Sequence, residues 1–397
     1  MSSFRIVVGV YLAIALLYWL RMLIGVVRVR RGVARLEELA SPAPHRWPRV
    51  SVVVAARDEA DKIAPAARSL MQQDYPDLQL IFVDDRSSDG TGQVIARLAE
   101  ADDRLRVVRV EELPDGWLGK VHALQRGLEA SDGEYVLFTD ADVYFAPDTL
   151  SKAIAHMVER ELDHLSACPS VWEAGAVVDV LVTTFLRQLV AFGIPPCGVS
   201  DPDSPAYFGV GAFNMVRRAA FDATEGFEWL RMEVADDMGL ALMMKRSGAG
   251  CGVVAAFDHV GLHWYRNMRE AARGGEKSFS SIGNCRVWRL GVTAAVMGPM
   301  ELAPAAGLVA LAVEPAGWVG WLGASVAALF AAAALLLARW ARASLRSALA
   351  APAVALLVVL VMCRVAWLGW RRGGVGWRGT VYPAGALRAG RRVRPRL

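Results

Sequence analysis

From Ile6 to Val27 the chain is apolar apart from Arg21. Such a run is long enough to cross a hydrocarbon core of about 30 Å as a helix. Nothing else limits the fold as strongly. Arg28, Arg30, Arg31 and Arg35 follow at once, after the apolar core instead of before it, and no small-residue cleavage site is present. Residues 1–30 therefore read as a retained membrane anchor, and the positive-inside rule puts the next segment in the cytoplasm. Three more apolar segments, Leu290 to Val313, Trp318 to Leu337 and Leu349 to Leu368, fill residues 288–370. One alone would read as a buried core helix. Three in succession, with Trp318, Trp321, Trp340, Trp367 and Trp370 near their ends, read as membrane helices with interfacial aromatics. Charge gives conflicting topologies, because the Arg339 to Arg346 loop and the tail 371–397 are both basic although one pass separates them. Pro299, Glu301 and Pro304 mark the first of the three segments as interfacial or re-entrant, leaving the last two as a hairpin with a cytoplasmic tail. A hydrophobic content of 54% agrees with a chain partly in lipid. The net charge of +4 is concentrated as arginine beside the apolar segments, which suits a membrane surface and not nucleic acid. Five cysteines form no C-x-x-C pair, so neither a zinc site nor a disulfide framework is indicated.

Between Pro48 and Asn284, a span read as one cytoplasmic domain over 48–284, short apolar strands alternate with amphipathic helices, the rhythm of an α/β sheet. Val50 to Ala56, Leu78 to Asp85, Leu105 to Val110 and the segment EYVLFTDAD read as strands, with helices over Ala60 to Gln72 and Gly92 to Ala99. Acids follow three of the strands: Asp58 and Glu59, Asp84 and Asp85, Asp140 and Asp142. The carboxyl edge of an α/β sheet is where ligands bind. Residues two apart in an extended segment share a face, so Asp140 and Asp142 can point together. Two carboxylates there suit magnesium or manganese, which take oxygen ligands and keep waters and substrate phosphates. Alternatively, Asp142 only opens the turn before Pro147 and Asp148. Asp58 and Asp89 are each placed to cap a helix, whereas Asp84 with Asp85 exceeds what capping needs.

Six segments occur in order: VSVVVAARDEADKI, LIFVDDRSSDGT, GKVHALQRGL, YVLFTDADVYF, GVGAFNMVRR and ADDMGLALMMKRSG. In that order and spacing, from about Val50 to about Gly283, they resemble family 2 glycosyltransferases of the A-type fold. The layout is similar to membrane-bound bacterial members and to ceramide glucosyltransferases. The resemblance implies an α/β A-type glycosyltransferase domain between N-terminal and C-terminal transmembrane helices. It implies that Glu59 and Asp84 contact base and ribose, with Asp85 beside them, and that Lys120 approaches the nucleotide sugar. Asp140 and Asp142 match the metal-binding D-x-D, and Asp236 with Asp237 stand where Glu-Asp is usual, making Asp237 the general base. Aspartate for glutamate at position 236 shortens one side chain.

The segment 263–281 lacks the Q-x-x-R-W signature of processive synthases and carries instead Tyr265, Arg266, Arg269, Arg273 and Lys277. It reads as an amphipathic helix on anionic lipid, and Arg266 and Lys277 resemble residues that bind the donor diphosphate in non-processive members. Gly209 and Gly211 in FGVGAF do not make a dinucleotide fingerprint and read instead as a tight loop near the acceptor. The expected protein is a multi-pass enzyme of the inner membrane whose cytoplasmic domain uses magnesium or manganese. It inverts the configuration of one sugar moved from a nucleotide sugar, a UDP sugar, to a lipid acceptor. Two rivals are a nucleotidyltransferase of related fold, which needs no base at Asp237, and a nucleotide-binding scaffold or transport component without catalysis.

Overall fold

The computed structural model describes residues 2–192, 197–283 and 285–393; Asn284 and the last four residues of the basic tail lie outside them. Helix α1 (Ser2–Gly32) runs into a short strand β1 (Ala34–Arg35). Strands and helices then alternate: β2 (Val50–Ala56), α2 (Ile63–Met71), β3 (Leu78–Asp85), α3 (Thr91–Ala99), β4 (Leu105–Val110), α4 (Gly119–Glu129) and β5 (Tyr135–Asp140). There follow β6 (Tyr144–Phe145), α5 (Thr149–Glu159), β7 (His164–Val171), α6 (Ala176–Phe192), β8 (Asn214–Arg217), α7 (Arg218–Asp222), α8 (Gly226–Leu230), α9 (Asp236–Arg246), β9 (Cys251–Leu262) and α10 (Met268–Ile282). The chain closes with α11 (Val287–Val313), α12 (Trp318–Ala341), α13 (Leu345–Leu349), α14 (Ala351–Arg372), β10 (Gly374–Trp377), β11 (Thr380–Pro383) and α15 (Ala384–Gly390).

One mixed sheet, in the order β1-β9-β7-β8-β5-β2-β3-β4, forms the centre of the α/β part. The three Val side chains Val52, Val53 and Val54 of β2 are all buried, as a strand covered on both faces requires. Parallel pairing sets Ala56 opposite Asp84 and Ala55 opposite Asp140. That register brings the acids after β2, β3 and β5 to one edge. Apolar stripes of α2, α3 and α5 cover one face, and α4, α8 and α9 the other.

Four helices, the first three of them α1, α11 and α12 and the last α14, are long and apolar enough to cross a membrane. Two expectations about them change. First, α11 is a continuous helix of 27 residues, although Pro299 and Pro304 lie inside it. Pro304 has no N–H for the carbonyl of Met300, one helical turn back, and Trp19 Nε1 donates to that carbonyl at 3.1 Å. Tyr11 Oη donates to the neighbouring carbonyl of Pro299 at 2.5 Å. A side chain of α1 thus repairs the bond that Pro304 breaks. Glu301 is equally well housed, 2% exposed against the fully buried Arg187 of α6. Its charge faces a partner, not lipid. The antiparallel partner of α11 is α12, and at their crossing a Cβ on Gly307 would lie 2.5 Å from the Gly323 carbonyl oxygen. Only glycine permits that approach.

Second, both basic segments sit on the side of the sheet domain. Beyond the end of α12, Arg342 pairs with Asp258 of β9 and lies 3.6 Å from Glu37. At the far end of α14, Arg364 and Arg372 meet Glu276 of α10 at 3.1 and 2.9 Å. Between them α13 carries the chain inward, so that Ala351 shares a buried cluster with Trp19, Met300 and Ala303 in the middle of the bundle. From there α14 climbs back along α11, with Val359 against Gly298 and Val361 and Val365 in the cluster of Leu290. The segment α13–α14 thus folds back along α11, which also packs against α12. Counting arginines could not reveal this, because the rule assumes that each apolar segment crosses.

Sequence reading also passed over α6, whose 17 residues bridge the sheet domain and the bundle. Its Leu181 and Phe185 pack with Phe279 of α10 and the α14 valines.

Candidate active site

Two of the strand ends at the loaded edge bend sharply. Asp58 and Arg86, the second residue after β2 and the first after β3, hold left-handed backbones with φ of 53° and 56°. Non-glycine residues adopt that region at a cost, and such outliers collect at functional sites. The two loops are then laced together. Asp58 Oδ1 accepts from the Ser88 N–H at 2.8 Å, Asp89 Oδ2 from the Ala60 N–H at 3.0 Å, and Thr91 Oγ1 from the Glu59 N–H at 2.8 Å. Asp89 Oδ1 also accepts from the Thr91 N–H at 3.0 Å, where α3 begins. The lacing fixes Glu59 at the mouth of the edge.

Gly211 marks where the remaining groups converge. A Cβ placed on it would lie 2.9 Å from Asp140 Oδ2, 3.3 Å from Lys120 Nζ and 3.6 Å from Asp237 Oδ2. On Gly209 it would lie 1.9 Å from the Asp237 carbonyl oxygen. The glycines of FGVGAF therefore let this loop lie flat against the first turn of α9. Lys120, in the first turn of α4, reaches Asp140 Oδ1 at 2.6 Å and Asp236 Oδ2 at 3.2 Å. Lys277 of α10 reaches Asp236 Oδ1 at 3.4 Å, which ties the amphipathic helix to the same acids. Asp237 is held from the other side: Gly211 N–H donates to Oδ2 at 3.0 Å, and the Met238 N–H to Oδ1 at 2.8 Å.

The two neighbouring aspartates titrate in opposite directions. Burial would raise Asp236, but Lys120 and Lys277 outweigh it and hold its carboxyl below the ordinary range. Burial and then the charge of Asp236 push Asp237 up. For Lys120, burial is overcome by Asp140, Asp236 and Asp237, which keep the ammonium charged. Asp142 is pushed up to about 6 by burial and by the like charges of Asp140 and Glu59. A cation would relieve that repulsion. The donors are all carboxylate oxygens, which suits a hard divalent ion. No group of three or more His, Cys, Asp or Glu is arranged as a metal site among the described residues. Two carboxylates suffice for magnesium or manganese when water and diphosphate complete the shell.

Of the residues singled out by sequence, Glu59, Lys120, Asp140, Asp142, Asp236, Asp237 and Lys277 come together here. Asp84 and Asp85 stand at the same edge with other partners. Asp84 Oδ1 accepts from the Ser87 N–H at 3.3 Å, while the buried Asp85 takes Arg86 in a two-pronged pair at 2.7 and 3.0 Å. Arg266 is the exception: it is exposed, its backbone N–H donates to Glu270 Oε2 at 3.0 Å, and its guanidinium pairs with none of these acids among the described residues. The amphipathic pattern located α10, but not which of its cations turn inward.

One site residue escaped notice. Arg378, at the tip of the β10–β11 hairpin, pairs with Glu59, and Glu59, Asp142 and Asp140 offset the burial of its guanidinium and raise its pKa. The signal was present in GVGWRGTVYP, where apolar residues alternate about an Arg-Gly pair, a hairpin pattern inside what read as a basic tail.

Residues 51–236 match the family model described as Glycosyl transferase family 2. The chain is 31% identical over 207 residues to a beta-monoglucosyldiacylglycerol synthase of Trichormus variabilis, covering 50% of this chain and 41% of that protein. It is 31% identical over 113 residues to a GalNAc(5)-diNAcBac-PP-undecaprenol beta-1,3-glucosyltransferase of Campylobacter jejuni, covering 28% of this chain and 34% of that one. The chain thus spans less than half the length of these curated relatives. Among solved structures, a mannosyltransferase from Pyrobaculum calidifontis in complex with GDP-Man and Mn2+ superposes with a TM-score of 0.53 at 22% identity, over 90% of this chain and 98% of that one. At that identity the likeness is one of fold.

Proposed function

Since residues 51–236 form a glycosyl transferase family 2 domain, we propose that the protein moves one sugar from a nucleotide sugar, a UDP sugar, to a lipid acceptor in the membrane. The reaction inverts the anomeric carbon and uses a divalent cation at Asp140 and Asp142. One observation carries this reading: the strand-end acid Asp140, the cation Lys120 and the carboxylate Asp237 meet around Gly211. The acceptor class rests on relatives named for diacylglycerol and undecaprenol substrates, and on the apolar helices that hold the site at the bilayer. The sheet domain and both basic segments face the cytoplasm.

Asp237 takes the proton of the acceptor hydroxyl as its oxygen attacks the anomeric carbon from the face opposite the diphosphate. The new C–O bond forms as the bond to the diphosphate oxygen breaks, and the diphosphate leaves with the electron pair. Lys120 offsets charge on the leaving group, and Gly211 N–H keeps Asp237 aimed. When bound, the cation supplies further neutralisation of the diphosphate. A nucleotidyltransferase of related fold would need no general base at Asp237.

Purified protein incubated with total membrane lipid and a panel of radiolabelled sugar nucleotides is expected to label one lipid class, and chelator is expected to remove the label. No labelled lipid under any donor overturns the reading. Cation binding should also depend on pH. The ionised form of Asp142 is the one that binds, and its carboxyl titrates at about 6, so affinity for Mn2+ falls as pH drops through that value. The loss approaches about tenfold per pH unit in the acid limb. Calorimetric titrations between about pH 7.5 and about pH 5 check this, and an affinity flat across the range removes Asp142 from the ligand set.

A further inference from the structure

After α14 the chain returns to the sheet domain and is pinned there at several points. Arg372 Nη1 donates to Glu276 Oε2 at 2.9 Å, Gly119 N–H donates to Tyr382 Oη at 3.3 Å, and Lys277 Nζ lies 4.2 Å over the ring of Trp377. Beyond α15, the Arg392 and Val393 N–H groups donate to Glu233 Oε2 at 2.6 and 2.9 Å. The hairpin is thereby clamped across the loaded edge.

Its turn has two residues, since Trp377 pairs with Thr380. Both take positive φ, 47° at Arg378 and 78° at Gly379, as a hairpin turn of the I′ type requires. Asparagine is the favoured residue at the first of these positions, and arginine there carries a backbone cost. The backbone does not call for arginine, so the side chain must. It delivers a guanidinium to Glu59, within the field of Asp140 and Asp142.

We propose that Arg378 is a donor-binding residue, whose guanidinium grips the diphosphate of the nucleotide sugar beside Glu59, and that the C-terminal hairpin forms the wall of the donor site nearest the membrane. This rests on the nucleotide-sugar reading above. A planar fork matches the paired oxygens of a carboxylate and of a diphosphate alike, so the donor can take over one prong from Glu59 without the hairpin moving. The last membrane segment and the donor site are thus parts of one device, and the tail belongs to the active site.

The test is titration of the full-length protein in detergent with UDP and with GDP, followed by calorimetry, the tighter nucleotide carrying the comparison. Arg378→Asn suits the left-handed turn while removing the charge. It should weaken binding about 10-fold to 100-fold, as expected for loss of a charge-assisted contact. Arg378→Lys keeps the charge without the fork and should fall between. Arg371→Ala removes a charge from the same segment, where Arg371 stacks 5.4 Å from the Trp367 ring, and should bind as wild type does. Unchanged or tighter binding by Arg378→Asn overturns the inference, as does equal loss in Arg371→Ala. Wild type binding neither nucleotide overturns the proposed function and this inference with it, whereas wild-type binding unaffected by Arg378→Asn sinks the inference alone.

Discussion

Asp237→Asn is expected to lower the rate of sugar transfer by about 10²- to 10⁴-fold, the usual contribution of a positioned general base, while nucleotide binding stays within about twofold of wild type. The amide has the same shape as the carboxylate, so Gly211 N–H retains an acceptor and the first turn of α9 keeps its place. What is lost is the ability to take a proton, together with the acceptor for the Met238 N–H, which the amide NH2 cannot receive. Burial and the neighbouring Asp236 raise Asp237, which makes it a better proton acceptor at neutral pH. The sign of the pH effect follows. The ionised form is active, so the transfer rate declines as pH falls through the raised pKa, and it declines at higher pH than an ordinary aspartate would allow. Single-turnover transfer of radiolabelled sugar, set beside calorimetric nucleotide binding, separates the two quantities. Transfer within tenfold of wild type would remove Asp237 from the role of base, and lost binding would make it a donor contact instead.

The strand-end acids were legible in sequence because strand register is a local rule. Once β2, β3 and β5 pair in parallel, Ala55 and Ala56 fall opposite Asp140 and Asp84, and the acids must share an edge. Lys120 and Asp237 were legible only through the family resemblance. Nothing in their spacing, more than a hundred residues apart, shows that both approach Gly211. What sequence could not show is where long-range partners rescue a rule that looks broken. Two prolines and a glutamate in α11 argued against a spanning helix, and the partners that house them, Trp19 and Arg187, lie far away in the chain. The tail is the opposite case. Its arginines are abundant, and abundance hid the one whose backbone is strained into the site.

Glu301→Leu is expected to destabilise the protein by about 3–5 kcal/mol, because it leaves Arg187 without a counter-charge where its side chain has no access to solvent. Arg187 of α6 pairs with Glu301 of α11, and Gln188 donates to the same carboxylate. The guanidinium also lies 5.2 Å from the Trp19 ring and 5.7 Å from that of Phe330, so three helices besides its own surround it. Aromatic faces of this kind contribute about 2 kcal/mol to a desolvated cation, too little to replace a carboxylate. Removing both charges should behave differently. In Arg187→Met with Glu301→Leu the groups that resisted burial are gone, and stability should return to within about 1–2 kcal/mol of wild type or exceed it. Equilibrium unfolding of wild type, single and double variants in one detergent measures the difference. If the single variant unfolds with the wild type, the pair does not hold α6 to the bundle. If the double variant restores stability but slows lipid glycosylation, the ion pair is retained for the placing of α6, which packs on α10 and thereby on the helix that carries Lys277 to Asp236.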